Sequence, residues 1–216
     1  MKTLATFALT ALACGLVPAQ APAAGVSATR FAENPLLTLR SDPSVGDNIN
    51  GPSVIKVPAW VKNPLGKYYM YFAHHSGRYI RLAYADSLHG PWKIHKPGVL
   101  DVSATALYRP QPDPPWEIYG VYTHVASPDV LVDDANKRII MWVHGQFSDG
   151  KRWPDDPVEA QAWLRRNGYS QVTQVTVSTD GRQFKAQPVL SPDPYLRVFQ
   201  HAGAYYGIVR LGRLGR

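Results

Sequence analysis

The sequence predicts an all-β fold built from four-stranded antiparallel sheets, and three observations support this. Runs rich in aromatic residues, such as KYYMYFAHH (67–75), are typical of strands. Other runs alternate apolar and polar residues, as YIRLAYAD (79–86) does, which is the period of a strand with one buried face. Finally, a small residue and a proline precede a strand-like run three times, in GPSVIKV (51–57), ASPDVLVD (126–133) and SPDPYLRVF (191–199).

The first predicted sheet is a meander of four segments, PSVIKV, KYYMYFA, YIRLAYA and WKIH. The connection SGR and the turn at Gly90-Pro91 separate its later strands. Residues 128–145 repeat the pattern as strand, DDANK turn and strand, and residues 170–190 add two strands around a turn at Asp180-Gly181.

A third unit begins with PDPYLRVFQHAGAYYGIVR, whose turn is HAG. The three predicted units start at Pro52, Pro128 and Pro192, which lie 76 (128 − 52) and 64 (192 − 128) residues apart. One four-stranded sheet per repeat is the signature of a β-propeller. The prediction is therefore a β-propeller made of antiparallel blades.

Two irregular inserts account for the extra length between the repeats, at 101–124 and 149–169. The second insert predicts one short helix over about 157–167. Asp156 is the expected N-cap, Glu159 completes a capping box, and a proline occupies the first helical position.

Residues 1–24 have the pattern of a signal peptide, with a basic start and an apolar run over 4–17. Cleavage is expected near Ala21 or Ala24, and residues 25–216 then form a single, partial propeller domain. The apolar run is too short to span a bilayer as a helix. We therefore expect a secreted or periplasmic protein with no membrane span.

The single cysteine, Cys14, lies inside this segment, so the mature chain is expected to contain no disulfide. Lipidation of Cys14 is disfavoured, because the residues ALA before it lack the larger aliphatic side chain expected three positions back. The full chain has 23 Lys and Arg against 16 Asp and Glu, but the basic residues are dispersed. We therefore expect no nucleic-acid partner.

Four motifs, in this order, resemble secreted bacterial relatives of the five-bladed propeller glycoside hydrolases of families 43 and 32. They are HVASPDV (124–130), MWVHG (141–145), VSTDGRQF (177–184) and YLRVFQHAGAYY (195–206). The resemblance covers roughly residues 31–210. It implies five blades of about 60 residues, or about 300 in all. The chain is thus expected to hold about half of such a propeller, as a C-terminally truncated frame or gene fragment.

Glycoside hydrolysis needs two carboxyl groups, one that donates a proton and one that activates water or attacks the sugar. The resemblance implies an aspartate directly before the first proline and a glutamate in a later blade. Gly51 holds the former position here, and Ser127 and Ser191 precede the other two prolines. The remaining candidates for catalysis are Asp129 and Asp47. The alternative for Asp129 is that it satisfies backbone N–H groups at a strand start.

Substrate-binding candidates are polar residues at predicted blade edges and an aromatic residue in the first insert, since sugar rings stack on exposed aromatic faces. They are His74, His124, His144, Asp193 and Trp116. The histidines lack a short zinc-type spacing, so no metal ligand is predicted. No cofactor is predicted either; an axial calcium or sodium ion is implied by the resemblance alone.

Together these features predict an exported, glycoside hydrolase-like protein that acts on or binds a polysaccharide, with carbohydrate as its partner. The alternative is a non-catalytic carbohydrate-binding propeller or an inactive fragment. The departures at the proline motifs favour the alternative, whereas Asp129 and the signal peptide favour the enzyme. The sugar, the linkage, the stereochemical outcome and the oligomeric state are left open.

Overall fold

The computed structural model describes residues 25, 27–108, 123–147, 154, 156, 158–159, 162, 166 and 171–209. Residues 1–31 form one unit and residues 32–216 a second, which contains every element described below. The predicted signal peptide, Cys14 and Trp116 lie outside the described residues. Within the described part of the chain, no helix is long and apolar enough to cross a membrane.

Sheet 1 is an antiparallel meander with the strand order β1-β2-β3-β4. Its strands are β1 (Asn50–Lys56), β2 (Tyr68–Ala73), β3 (Tyr79–Ala85) and β4 (Lys93–Asp101). The fourth strand is longer than the predicted WKIH. Short 3-10 turns at Pro43–Val45 and Val102–Ala104 flank the sheet.

Sheet 2 repeats this topology in the order β5-β6-β7-β8. Its strands are β5 (Ala126–Asp133), β6 (Arg138–Gln146), β7 (Gln171–Ser178) and β8 (Lys185–Ser191). A two-stranded hairpin follows, formed by β9 (Arg197–His201) and β10 (Ala204–Ile208). The predicted all-β fold of four-stranded antiparallel blades is thus confirmed.

The described residues of the second insert also agree with the prediction of a helix. Val158, Glu159, Ala162 and Arg166 are helical. Asp156 Oδ1 accepts hydrogen bonds from the N–H groups of Val158 and Glu159, at 2.9 Å each. Asp156 is therefore an N-cap, because it satisfies two amides that lack a partner within the helix.

A single apolar core joins sheets 1 and 2. The ring of Tyr71 contacts those of Tyr69 and Phe184 edge to face, with centroid distances of 6.3 Å and 5.6 Å. The hydroxyl of Tyr71 donates to the carbonyl of Gly181 at 2.9 Å, so the turn before β8 is fixed onto sheet 1. Buried hydroxyls need such a partner, because an unpaired one costs free energy.

The other face of sheet 1 is covered by the chain segment before β1, residues 36–49, which we call the cover segment. Its apolar side chains pack on the buried Met70, Phe72 and Ala83 of sheet 1; they are Leu36, Leu37, Val45 and Ile49. Both faces of sheet 1 are therefore shielded from water. The hairpin β9–β10 has no such cover, since every residue of β10 is exposed.

Candidate functional site

The first strands of the two sheets and of the hairpin, β1, β5 and β9, are called the inner strands, and each has a residue with a left-handed φ angle at or just before its start. Gly51, Ser127 and Tyr195 all have left-handed φ angles, of 56°, 46° and 60°. In β1 and β5 the pairing with the next strand shifts at this point. Such conformations cost non-glycine residues about 1–3 kcal/mol and persist where surrounding structure enforces them.

Equivalent hydrogen bonds join each inner strand to the next, and we call this repeated bond the clamp. The N–H of Val130 in β5 donates to Ser53 Oγ of β1 at 3.0 Å. The N–H of Val198 in β9 donates to Asp129 Oδ2 of β5 at 2.7 Å. Ser53 and Asp129 therefore occupy equivalent places in successive blades, each accepting from the following blade.

This clamp corrects the predicted start of the third repeat. Leu196, and not Pro192, follows the left-handed residue as Pro52 and Pro128 do. Pro192 directly follows the end of β8 at Ser191. The spacings become 76 and 68 (196 − 128) residues. Pro192, four residues before Leu196, matches the motif in sequence, but the residue with the left-handed φ angle is Tyr195.

Asp129 is mostly buried, and both of its oxygens lie against the hairpin. Beside the bond to Val198, its Oδ1 is 3.4 Å from Arg197 Nη1, which also donates to the carbonyl of Pro128 at 2.8 Å. The aspartate thus satisfies a backbone N–H at a strand start, although the strand is that of the next blade. A catalytic role would require an oxygen to exchange β9 for a substrate.

Asp47 and His74 form a pair at the end of β2. The carboxylate Oδ1 lies 2.6 Å from His74 Nε2, and the Asp47 side chain is 90% exposed. The hydrogen bond from His74 holds the pKa of Asp47 below its usual value. Since His74 Nδ1 accepts from the Ser76 N–H at 2.9 Å, the ring carries its proton on Nε2 and uses both nitrogens locally.

His124 and His144 are brought together in the interior. Their rings are 6.0 Å apart, edge to face, and both are almost completely buried. The ring of Tyr195 lies 3.9 Å from that of His144, tilted by 41°. Neither ring nitrogen of His144 has a hydrogen-bond partner among the described residues.

Burial lowers the pKa of His144 from 6.5 to about 3, with smaller contributions from His124, His75 and Arg197. His144 is therefore neutral at pH 7. A neutral imidazole carries one N–H donor and one acceptor lone pair. One nitrogen of this buried ring can therefore donate a hydrogen bond, and the other can accept one.

Amide side chains extend this polar cluster. Gln171 Nε2 lies 3.5 Å from His124 Nε2, and Gln171 pairs in register with the buried Gln146. Nε2 of Gln146 has no partner among the described residues. At the start of β1, Asn50 Nδ2 lies 3.1 Å from His75 Nδ1.

Two histidines of the predicted set, His124 and His144, therefore meet directly, whereas His74 turns to Asp47. The backbone carbonyl of Asp193 accepts a hydrogen bond from Thr173 Oγ1 at 2.7 Å. The sequence interpretation missed Tyr195, and of the two histidines that end β2 it selected His74 and not His75, which lies nearer the cluster. Tyr195 lay within the motif YLRVF, one position before the leucine that takes the place of the repeated proline.

No group of three or more histidine, cysteine or acidic side chains that could hold a metal ion occurs within the part of the chain described by the structure. Among the surface pockets that described residues form, one of about 330 Å³ and one of about 480 Å³ are lined by other residues. His95 and Arg182 line the smaller, and Glu33 and Trp92 the larger. The polar cluster around His144 is the candidate site because it contains a buried ring whose nitrogens have no partner among the described residues.

Comparison with known proteins gives a relative and a fold likeness. No family model matches the chain. It is 31% identical over 213 residues to uncharacterized protein R118 of Acanthamoeba polyphaga mimivirus, covering 93% of this chain and 54% of that protein. The chain thus spans about half the length of the curated relative it matches.

Glycoside hydrolases are among the solved structures to which the chain shows a low similarity. An exo-β-1,3-galactanase from Phanerochaete chrysosporium, bound to β-1,3-galactotriose, is 13% identical with a TM-score of 0.42, over 76% of this chain and 32% of that one. A thermostable family-43 glycoside hydrolase is 18% identical with a TM-score of 0.37, over 74% and 44%.

Proposed function

We propose that this protein binds carbohydrate at the end of the sheets where β1, β5 and β9 begin, with His144 as the central hydrogen-bonding group. The observation that carries the proposal is a neutral, buried ring whose two nitrogens have no partner among the residues that the structure describes. A sugar hydroxyl both donates and accepts, so it matches an imidazole that offers one of each.

The energetic argument supports a ligand at this position. A buried polar group without a partner costs about 1–3 kcal/mol. A ligand hydroxyl that bonded His144 would remove this cost, which is a direct source of binding free energy. Since His144 is buried beneath Tyr195, the tyrosine side chain would have to rotate for the ligand to enter.

Binding is favoured over hydrolysis because both predicted carboxylates are already engaged. Asp129 is bonded to β9, and Asp47 is hydrogen-bonded to His74 at an exposed position. A glycosidase needs one carboxyl group to protonate the leaving oxygen and another to attack or activate water. Hydrolysis through Asp129, with export directed by residues 1–24, stays the alternative proposal.

The test measures binding and turnover on one panel. Oligosaccharides, including β-1,3-galactotriose, are titrated calorimetrically against wild type, His144→Phe and the control His74→Ala. His144→Phe keeps a ring but loses both hydrogen-bonding positions, so affinity should fall about tenfold or more. His74→Ala should bind like wild type, because its ring is occupied by Asp47 and Ser76. Unchanged affinity in His144→Phe would overturn the proposal.

Aryl glycosides test the alternative. We expect no turnover by the wild-type protein. If turnover is found and Asp129→Asn lowers it by about a hundredfold or more at an unchanged melting temperature, Asp129 is a catalytic group and the binding proposal is replaced.

A further inference from the structure

The second histidine after β2, His75, keeps one ring nitrogen available for a partner. Its Nδ1 lies 3.1 Å from Asn50 Nδ2. An amide nitrogen can only donate, so Nδ1 accepts, and the neutral ring carries its proton on Nε2. Among the described residues the ring forms no other hydrogen bond, so Nε2 keeps an N–H donor. His74 differs, because its two ring nitrogens already bond Asp47 and Ser76.

His75 lies beside the candidate site, where sheets 1 and 2 meet. The turn that contains it is bonded to the start of β5, because the N–H of Val125 donates to the carbonyl of Gly77 at 2.9 Å. Ala126, the next residue, pairs in register with His144. His75 is also close enough to His144 to contribute to the lowering of its pKa. The two histidines therefore border the same region from neighbouring sheets.

We propose that His75 is a second ligand-binding residue of this site and donates from Nε2 to an oxygen of the saccharide that bonds His144. This inference rests on the proposed function, and it makes the ligand bridge sheets 1 and 2. A neutral His144 both donates and accepts, whereas His75 Nε2 only donates. The site therefore selects saccharides that present an acceptor oxygen to His75.

The end of the cover segment and the start of β1 hold His75 in this orientation. Asn48 Oδ1 accepts the backbone N–H of His75 at 2.9 Å, while Asn50 bonds its ring. Arg81 in turn donates from Nη1 to the carbonyl of Asn48 at 3.0 Å, and only 7% of Arg81 is exposed. Such buried support fixes a binding group before the ligand arrives, which reduces the entropy lost on binding.

Two amide substitutions of His75 test the donor, because each reproduces one nitrogen of the ring. The glutamine amide reaches the position of Nε2, and the shorter asparagine amide reaches that of Nδ1. In calorimetric titrations with β-1,3-galactotriose, His75→Gln should stay within about threefold of the wild-type affinity, whereas His75→Asn should lose about tenfold. If His75 only supports Asn50, the order reverses, because asparagine keeps that bond and glutamine loses it. Reversed or equal affinities would overturn the proposal.

Heteronuclear NMR of the ring nitrogens supplies a second test that needs no saccharide. At about pH 8, above the ordinary histidine pKa of about 6.5, the His75 ring should carry its proton on Nε2. A proton on Nδ1 would overturn the assignment of the donor.

His74→Asn is the matched control for the titrations and should bind like wild type, and melting temperatures confirm that each variant is folded. His144→Phe separates the two proposals. Weaker binding by His144→Phe, together with equal affinities of the two His75 variants, rejects the role of His75 alone. Unchanged binding by His144→Phe rejects the site itself.

Discussion

Sheets 1 and 2 share a backbone plan but place different chemistry at matching positions. The register pairs Asn50 with Ala73 in sheet 1 and Ala126 with His144 in sheet 2. A buried alanine in one blade is therefore a buried histidine in the next. The two sheets therefore share the same backbone positions, and single residue differences between the repeats create a polar site in sheet 2.

Two further pairs extend the contrast. Ser53 matches Asp129 in the clamp between inner strands. The next position along the second strand is His74 in sheet 1 and Gly145 in sheet 2. Each pair permits matched substitutions that separate what the shared plan requires from what one blade adds.

The largest expected effect is at Gly145. A Cβ there would overlap the carbonyl oxygen of His124 and lie 3.1 Å from Leu107 Cδ1. Because a backbone atom cannot move aside cheaply, Gly145→Ala should destabilise the fold by about 3 kcal/mol or more. Urea unfolding measures the change in the free energy of unfolding.

His74→Ala is the matched change in sheet 1. It removes a side chain whose carboxylate partner is highly exposed, so stability should stay near that of wild type. Equal losses of unfolding free energy in the two variants would contradict the close approach of the His124 carbonyl to Gly145.

The second effect is the pH dependence that His144 gives to sheet 2. The pKa of His144 is lowered to about 3 from 6.5, so the unfolded state binds a proton that the folded state does not. The free energy of unfolding is therefore highest above pH 6.5, and it decreases as the pH falls from 6.5 toward 3. The slope should be up to about 1.4 kcal/mol per pH unit.

His144→Phe should remove that slope. The nearby His124, His75 and Arg197 are retained in both proteins, so the difference between the two pH profiles isolates His144. Urea unfolding between about pH 7 and pH 4 provides the profiles. Parallel profiles would show that His144 is protonated in the folded protein.

The smallest expected effects are losses of stability when the hydrogen bonds between successive inner strands are removed. Asp129→Ala removes a charged acceptor of a backbone N–H and should cost about 2 kcal/mol, whereas Ser53→Ala removes a neutral acceptor and should cost about 1 kcal/mol. Asp129→Asn keeps an oxygen toward Val198 and should fall between wild type and Asp129→Ala. If Ser53→Ala lowers the free energy of unfolding more than Asp129→Ala does, the hydrogen bond to Ser53 is the stronger of the two and the prediction is wrong.

The strands were predictable because their signals are local. Alternation and aromatic runs mark β2, β3 and β6, and the small residue–proline motif marks the start of β1 and β5. The third start was wrong, since SPDP matched the motif in letters while the left-handed residue is Tyr195. Letters do not reveal which residue a bulge places in that conformation.

The site was less predictable because it joins residues distant in the chain. The meeting of His124 and His144 follows from their places at neighbouring strand ends, and both were proposed. The pairing of Asp47 with His74 spans 27 residues and depends on how the cover segment lies on sheet 1. Tyr195 over His144 depends on the corrected register of β9.

The cover segment has a consequence for the order of folding. It lies next to β1 in the chain, so sheet 1 and its cover close only short loops when they assemble. Docking of sheet 2 instead joins residues as distant as Tyr71 and Gly181, which are 110 positions apart. Because loop-closure entropy slows the formation of distant contacts, sheet 1 with its cover should form before the two sheets dock.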